Sequence, residues 1–169
     1  MLIRQATLLD IDPVMQLVKA VVPLMIEAGN FQWDDTYPNP EVFETDIQLQ
    51  QLWLAEIDGA IAGIAAITTD QEPEYAKVGW DTNETAIVIH RLAVHPAYQG
   101  KGIAVALLEK AELIAINKNI HILRVDTNSM NKATQALFPR LGYGFAGEID
   151  LSFRPSLLFY CYEKRLAVR

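Results

Sequence analysis

Gln99-Gly100-Lys101-Gly102-Ile103-Ala104 sets two glycines around a lysine, directly ahead of an apolar-periodic segment that runs to Ile116. Glycine accepts positive φ and lets another group approach the main chain closely, so consecutive N–H groups from Gln99 to Ala104 can converge on a phosphate. A helix beginning there adds its own unsatisfied N–H groups and the positive end of its dipole. Lys101 can meet the same anion as a point charge, or stay solvated while its N–H binds. Two other phosphate motifs do not fit. A Walker loop needs Ser or Thr after Gly-Lys, where Gly102 stands; a dinucleotide fingerprint needs a third glycine, where Ala104 stands, and an acidic residue about twenty positions on, where 120–124 holds none.

His90 lies two residues before Leu92 in the apolar run Thr85–Val94, on the same strand face, and can titrate near neutrality. A histidine so placed can act as a general base, directly or through water. The alternative is a strand histidine satisfied by core hydrogen bonds. His95 precedes a proline in a turn and His121 opens a strand, which suits them less to the role. The histidines and nearby acids have no metal-ligand spacing, so no metal is expected. The single Cys161, in a β-like run, reads as a buried structural thiol.

The elements that must position these groups alternate. Leu2–Thr7 reads as an edge strand, and Thr7 or Asp10 can cap a helix with the stripe Ile11, Val14, Met15, Val18 and Val22. A turn-rich aromatic loop, 29–40, precedes a second helix over 41–51. Asp58-Gly59 between 53–58 and 60–68 is a two-residue hairpin turn. A polar loop over 70–83 leads to the strand Thr85–Val94, and 121–126 forms another strand. The helix after the glycines buries Ile103, Leu107, Leu108, Ala111, Ile114 and Ala115. A further helix from Met130 ends at Gly142 with Pro139 in its last turn, and strands over 143–151 and 157–166 close the chain, with Arg154-Pro155 in their turn.

Taken whole, Gln99–Ala104 resembles the Q/R-x-x-G-x-G/A signature of the GNAT N-acetyltransferases, preceded at the usual distance by Leu92-Ala-Val94-His-Pro96. Arg124–Asn131, Ala136–Tyr143 and Phe159–Lys164 are similar to the family's later elements. The resemblance implies an α/β fold of acyl-CoA N-acyltransferase type: a mixed, mostly antiparallel sheet of about seven strands with a splayed parallel pair in the middle and about four flanking helices. It implies one domain over 1–169 and transfer of an acetyl group from acetyl-CoA (coenzyme A) to a primary amine by direct attack in a ternary complex. By the same resemblance, Leu92, Ala93 and Val94 offer main-chain groups to the pantetheine arm and acyl oxygen, Gln99, Gly100, Lys101, Gly102, Ile103 and Ala104 hold the pyrophosphate, and Asn131 bonds the cofactor arm. Asn131 and Asn128 also suit helix capping. Phe138 aligns with the family tyrosine that protonates the departing thiolate: by the resemblance it stands among the cofactor-binding residues, but it has no proton to give. Either Tyr143, Tyr98 or water replaces it, or the thiolate leaves unaided. Phe31, Trp33 and Tyr37 fall in the variable acceptor region, where they either cap the core or line a cleft.

With 169 residues, 51% hydrophobic and 21% charged, the chain has the composition of a globular domain with a full core. A net charge of -7 speaks against nucleic acid as a partner, and no apolar run reaches the length of a membrane span. Residues 1–89 carry three Lys/Arg against 15 Asp/Glu, and residues 90–169 carry 11 against six. That split suits an anionic cofactor at one half and a cationic acceptor at the other, or is ordinary solvated surface. A small-molecule amine is the expected partner, with a protein N-terminus or lysine as the other acceptor and an acyl-CoA sensor as the non-catalytic alternative. The expected state is a monomer or homodimer in the cytoplasm.

Overall fold

The computed structural model describes residues 1–168. Along them run β1 (Leu2–Gln5), α1 (Ile11–Glu27), α2 (Pro40–Gln48), β2 (Leu52–Ile57), β3 (Ala60–Thr68), β4 (Ile87–Val94), α3 (Ile103–Asn117), β5 (Ile122–Asn128), α4 (Lys132–Arg140), β6 (Gly144–Leu151) and β7 (Arg154–Arg165). Short 3-10 turns lie at Leu8–Asp10, Pro73–Val78 and Pro96–Tyr98. The strands form one sheet in the order β1-β2-β3-β4-β5-β7-β6. The β4–β5 pair is parallel, and the β1–β2, β2–β3, β5–β7 and β6–β7 pairs are antiparallel. This is the expected mixed sheet of seven strands with a parallel pair at its middle and four helices. The chain divides into two compact units: Met1–Ile67 with His90–Lys110, and Thr68–Ile89 with the chain from Ala111 onward. Strand β4 and helix α3 each run from one unit into the other.

In the first unit, Asp10 Oδ2 accepts from both the N–H (2.8 Å) and the hydroxyl (3.2 Å) of Thr7, which fixes the entry to α1. The α1 face that reaches the core is Val14, Leu17, Val18 and Val22, packed with Trp33, Phe43, Leu52, Leu54 and Ile64; Ile11 and Met15 of the expected stripe are only half-buried. Asn39 Oδ1 accepts from the Val42 N–H at 3.0 Å and Pro40 opens the first turn, so α2 starts where capping chemistry dictates. Asp58 and Gly59 at φ 50° and 81° are both left-handed, as a two-residue turn between right-twisted strands requires.

The second unit has a core of Tyr75, Val88, Ile149, Leu151, Phe159 and Cys161. The expected polar loop over 70–83 is therefore not wholly open: its 3-10 turn buries Tyr75 completely. The expected turn at Arg154-Pro155 is also corrected. Both belong to β7, and Ser152 and Phe153 make the turn, with Leu151 paired to Arg154. Pro155 is tolerated because registered pairing with β6 resumes only at Phe159, which is also where pairing with β5 begins, so its missing N–H interrupts neither ladder.

Candidate active site

In the first unit, Gly100 and Gly102 have φ of 76° and 75°, and a Cβ built at either meets nothing within 4 Å. Glycine is needed there for backbone direction, and the space beside it is open. Directly after them Ile103 is buried as the anchor of α3, while Gln99, Lys101 and both glycines are exposed and Ala104 is half-buried. Close seating of that first turn depends on Gly63 of β3, where a Cβ would collide with Ile103 Cγ2 and lie 3.2 Å from Ala93 O. Before the loop, His95 Nδ1 accepts from the Ala97 N–H at 3.1 Å, so in its neutral form its proton is on Nε2, and Lys101 Nζ lies 5.4 Å from the centre of the Tyr98 ring.

Strand β4 supplies the second feature of this unit. Its register with β5 runs Ile87↔Leu123, Val88↔Arg124 and Ile89↔Val125. Beyond it, Arg91 takes φ 52°, a left-handed conformation inside a strand, and is followed by Leu92, Ala93 and Val94, of which Ala93 is buried and the others half-buried. The Arg91 guanidinium donates from Nε (2.8 Å) and Nη2 (2.6 Å) to the two carboxylate oxygens of Asp46 and from Nη1 to the Tyr37 hydroxyl (3.3 Å). His90 is half-buried and interacts with a neighbouring group.

The three aromatic residues of the acceptor region separate. Trp33, 3% exposed, belongs to the core, so of the two readings open for it the core cap holds and the cleft-lining, substrate-binding one does not. Phe31 is exposed, and Tyr37 is half-buried and held by Arg91.

In the second unit, Asn131 caps α4, its Oδ1 accepting from the Thr134 N–H at 3.2 Å, while its Nδ2 still carries two hydrogens for another acceptor. Capping and cofactor binding are thus compatible in one side chain. Asn128 instead accepts from the Met130 N–H at 2.9 Å, which turns the chain ahead of the helix. Phe138, 1% exposed, is closed in by Tyr143 and Tyr162, with ring centres 5.8 and 5.3 Å away, so its ring is core packing and presents no face to a cofactor. The Tyr143 hydroxyl is fully enclosed and has no hydrogen-bond partner among the described residues, and burial pushes its pKa well up. A hydroxyl in that state is badly placed to protonate a thiolate.

Sequence reading passed over three charged residues in apolar runs. Asp126 of β5, the first residue beyond the last pair with β4, accepts from the Tyr75 hydroxyl, and burial lifts its pKa to about 6, with Glu74 adding to the rise and the Tyr75 bond opposing it. Arg124, fully buried, donates to Glu163 (2.9 Å), to Gln71 (2.6 Å) and to the Asp81 carbonyl (3.0 Å), and stacks over Trp80, fastening the 70–84 segment. Arg91 is the third. Their signal was available: a charge inside a strand-like apolar run must be paired or functional.

The unit that carries the glycine loop holds five Lys/Arg against 11 Asp/Glu, so the sign change along the sequence does not coincide with the division into compact units.

A sequence model of the acetyltransferase (GNAT) family matches residues 19–143, the greater part of the chain and all of the glycine loop. The protein belongs to the acetyltransferase (GNAT) family. Its fold is that of a GNAT acetyltransferase from Streptococcus agalactiae, with a TM-score of 0.83 and 26% identity over 99% of this chain and 96% of that one. It also superimposes on yncA of Salmonella typhimurium, a structure with its cofactor acetyl-CoA, at a TM-score of 0.72 and 19% identity over 100% and 95% of the two chains. Among curated proteins, human N-acetylaspartate synthetase is 26% identical over 112 residues, 66% of this chain and 33% of that protein. The chain thus spans about a third of the length of the curated relatives it matches. No helix among the described residues is long and apolar enough to cross a membrane.

Proposed function

We propose that this acyltransferase moves an acetyl group from acetyl-CoA to the primary amine of a small cationic acceptor, by direct attack in a ternary complex, and that both units belong to one acetyltransferase domain. The observation that carries the reading is the pair of left-handed glycines with open space beside them, leading straight into α3 over the Gly63 contact. The residues fit coenzyme A: main-chain N–H groups from Gln99 to Ala104 would hold the pyrophosphate, Lys101 would add charge, and Asn131 Nδ2 would donate to the pantetheine arm. When bound, acetyl-CoA supplies the thioester-activated acetyl group. A main-chain N–H of the Leu92–Val94 segment would polarise the acyl oxygen.

Proton removal from the ammonium falls to His90, directly or through water, on the strand that leads into Leu92–Val94. No proton is routed through Phe138 or the enclosed Tyr143 hydroxyl.

Free-thiol release from acetyl-CoA, measured across a panel of amines, tests the reading. Amine-dependent turnover supports it; tight coenzyme A binding without turnover would make the protein a sensor instead. A second acceptor class is favoured by the name of the curated relatives, which contains aspartate, an anionic amine. Turnover confined to peptides with a free N-terminus or lysine would assign a protein acceptor.

A further inference from the structure

Arg91 adopts a conformation that an L-residue reaches only at a cost of about 1–2 kcal/mol, and it does so in the middle of a strand, immediately before the segment assigned to the acyl oxygen. Such a conformation persists only where the surroundings over-determine it. Here the surroundings are identified. Asp46 of α2 takes two charge-assisted bonds from the guanidinium, at 2.6 and 2.8 Å, with the Asp46 side chain 6% exposed and that of Arg91 17% exposed. The remaining nitrogen reaches Tyr37 in the acceptor region. In a strand, a residue turned to positive φ re-aims everything after it, because side chains and N–H groups alternate with a period of two.

We propose that Asp46 is a positioning residue for acetyl transfer: through its two-point bridge it holds Arg91 in the left-handed conformation that aims the Leu92–Val94 main chain at the acyl oxygen. The same guanidinium ties that aim to Tyr37, so the acyl-binding strand and the acceptor loop are set by one ion pair. The inference rests on the acetyl-transfer reading above. It assigns α2 a role in the chemical step, although Asp46 need touch neither substrate.

The decisive protein is the double variant Arg91→Met/Asp46→Asn, beside Arg91→Lys. Removing one charge leaves its partner buried and unpaired, which can unfold the chain; the double variant strands no charge and keeps at position 91 a side chain for which positive φ is costly, so the conformation there has lost its bridge and nothing else. Wild-type protein is assayed first, and absence of amine-dependent thiol release there overturns the acetyl-transfer reading itself. Given an active wild type, the double variant is expected to bind coenzyme A within about twofold of wild type by calorimetry, since the glycine loop is untouched, while kcat falls at least tenfold with little change in the acetyl-CoA KM. Arg91→Lys, which keeps the charge but loses the fork, is expected to fall between them. A kcat within twofold of wild type in the double variant overturns the proposal, because the strand then holds its aim without the bridge. A parallel loss of coenzyme A affinity and kcat also overturns it, because the pair then serves only the fold.

Discussion

Tyr75 donates its hydroxyl hydrogen to Asp126, and the other charged group bearing on that carboxylate is Glu74, of the same sign. A buried carboxylate held by a phenol instead of a cation binds its proton more tightly in the folded chain than in the unfolded one. Its pKa rises from 3.8 to about 6, so the protonated form is the one folding favours. Stability from this site is complete below pH 3.8 and is lost as pH rises through about 6. Asp126→Asn keeps an acceptor for Tyr75 and removes the charge. We expect it to match wild type in thermal unfolding near pH 4 and to exceed it by about 1–3 kcal/mol at pH 7.5. Equal melting temperatures at both pH values would show that the carboxylate is adequately solvated.

The Gly63 contact explains why α3 can begin where it does. Any side chain at Gly63 meets Ile103 Cγ2 and the Ala93 carbonyl, and the latter cannot move without shifting β4. Gly63→Ala is expected to cost about 1–3 kcal/mol of stability and to weaken coenzyme A binding at least fivefold, because the first turn of α3 lifts. Calorimetry with an unchanged affinity would separate the helix start from the cofactor.

Gly102→Glu adds a carboxylate beside the proposed pyrophosphate position. The strain of a non-glycine residue at φ 75° is part of its effect, so Gly79→Glu, at φ 82° and equally open, serves as the control for backbone cost. Both variants are expected to lose similar stability, and only Gly102→Glu is expected to lose detectable coenzyme A binding. Similar affinities for the two proteins would move the phosphate site off the loop.

Much of this was legible in the chain because the informative residues act locally. Gly100, Gly102 and Asp58-Gly59 declare their φ values by type, and Asn39 and Asn131 cap the helices that follow them through bonds spanning three residues. Fold and glycine loop therefore followed from short-range chemistry and the family signature. What stayed hidden depends on partners far off in sequence: Arg91 with Asp46, 45 residues away, Arg124 with Gln71, 53 away, and Tyr75 with Asp126, 51 away. In the sequence Trp33 stays open between core and cleft, and Phe138 reads as a cofactor neighbour, for the same reason. An aromatic residue has the same composition signal in a cleft as in a core, and only packing tells which it is.

Tyr143 offers a test of proton donation that packing makes decisive. Its hydroxyl is buried without a partner, so Tyr143→Phe removes an unsatisfied polar group at nearly constant shape. Stability is expected to stay level or rise by about 1 kcal/mol, with kcat within twofold of wild type. A tenfold drop in kcat at unchanged melting temperature would assign Tyr143 as the acid after all, through a movement that opens its hydroxyl to the thiolate.

The proposed acceptor's charge rests on the acids of the unit that carries the glycine loop. That unit holds 11 Asp/Glu against five Lys/Arg, and three of its acids, Asp10 and Glu56 with Arg4 and Asp46 with Arg91, are already in ion pairs. Asp34 accepts bonds within its own loop from Thr36 and Tyr37, and Asp35 beside it is exposed. We propose that the unit's excess of acids favours approach of cationic amines and opposes anionic ones. We expect kcat/KM at low salt to be at least tenfold higher for a diamine than for an amino acid with an acidic side chain. Because exposed charges are screened beyond about 8 Å at physiological ionic strength, the ratio should shrink as salt is raised. Replacing Asp35 with Asn should shrink it further at low salt and do nothing at high salt. A preference for the anionic amine, insensitive to Asp35→Asn, would instead point to a dedicated basic contact in the acceptor region and to an acceptor of the kind carried in the human relative's name.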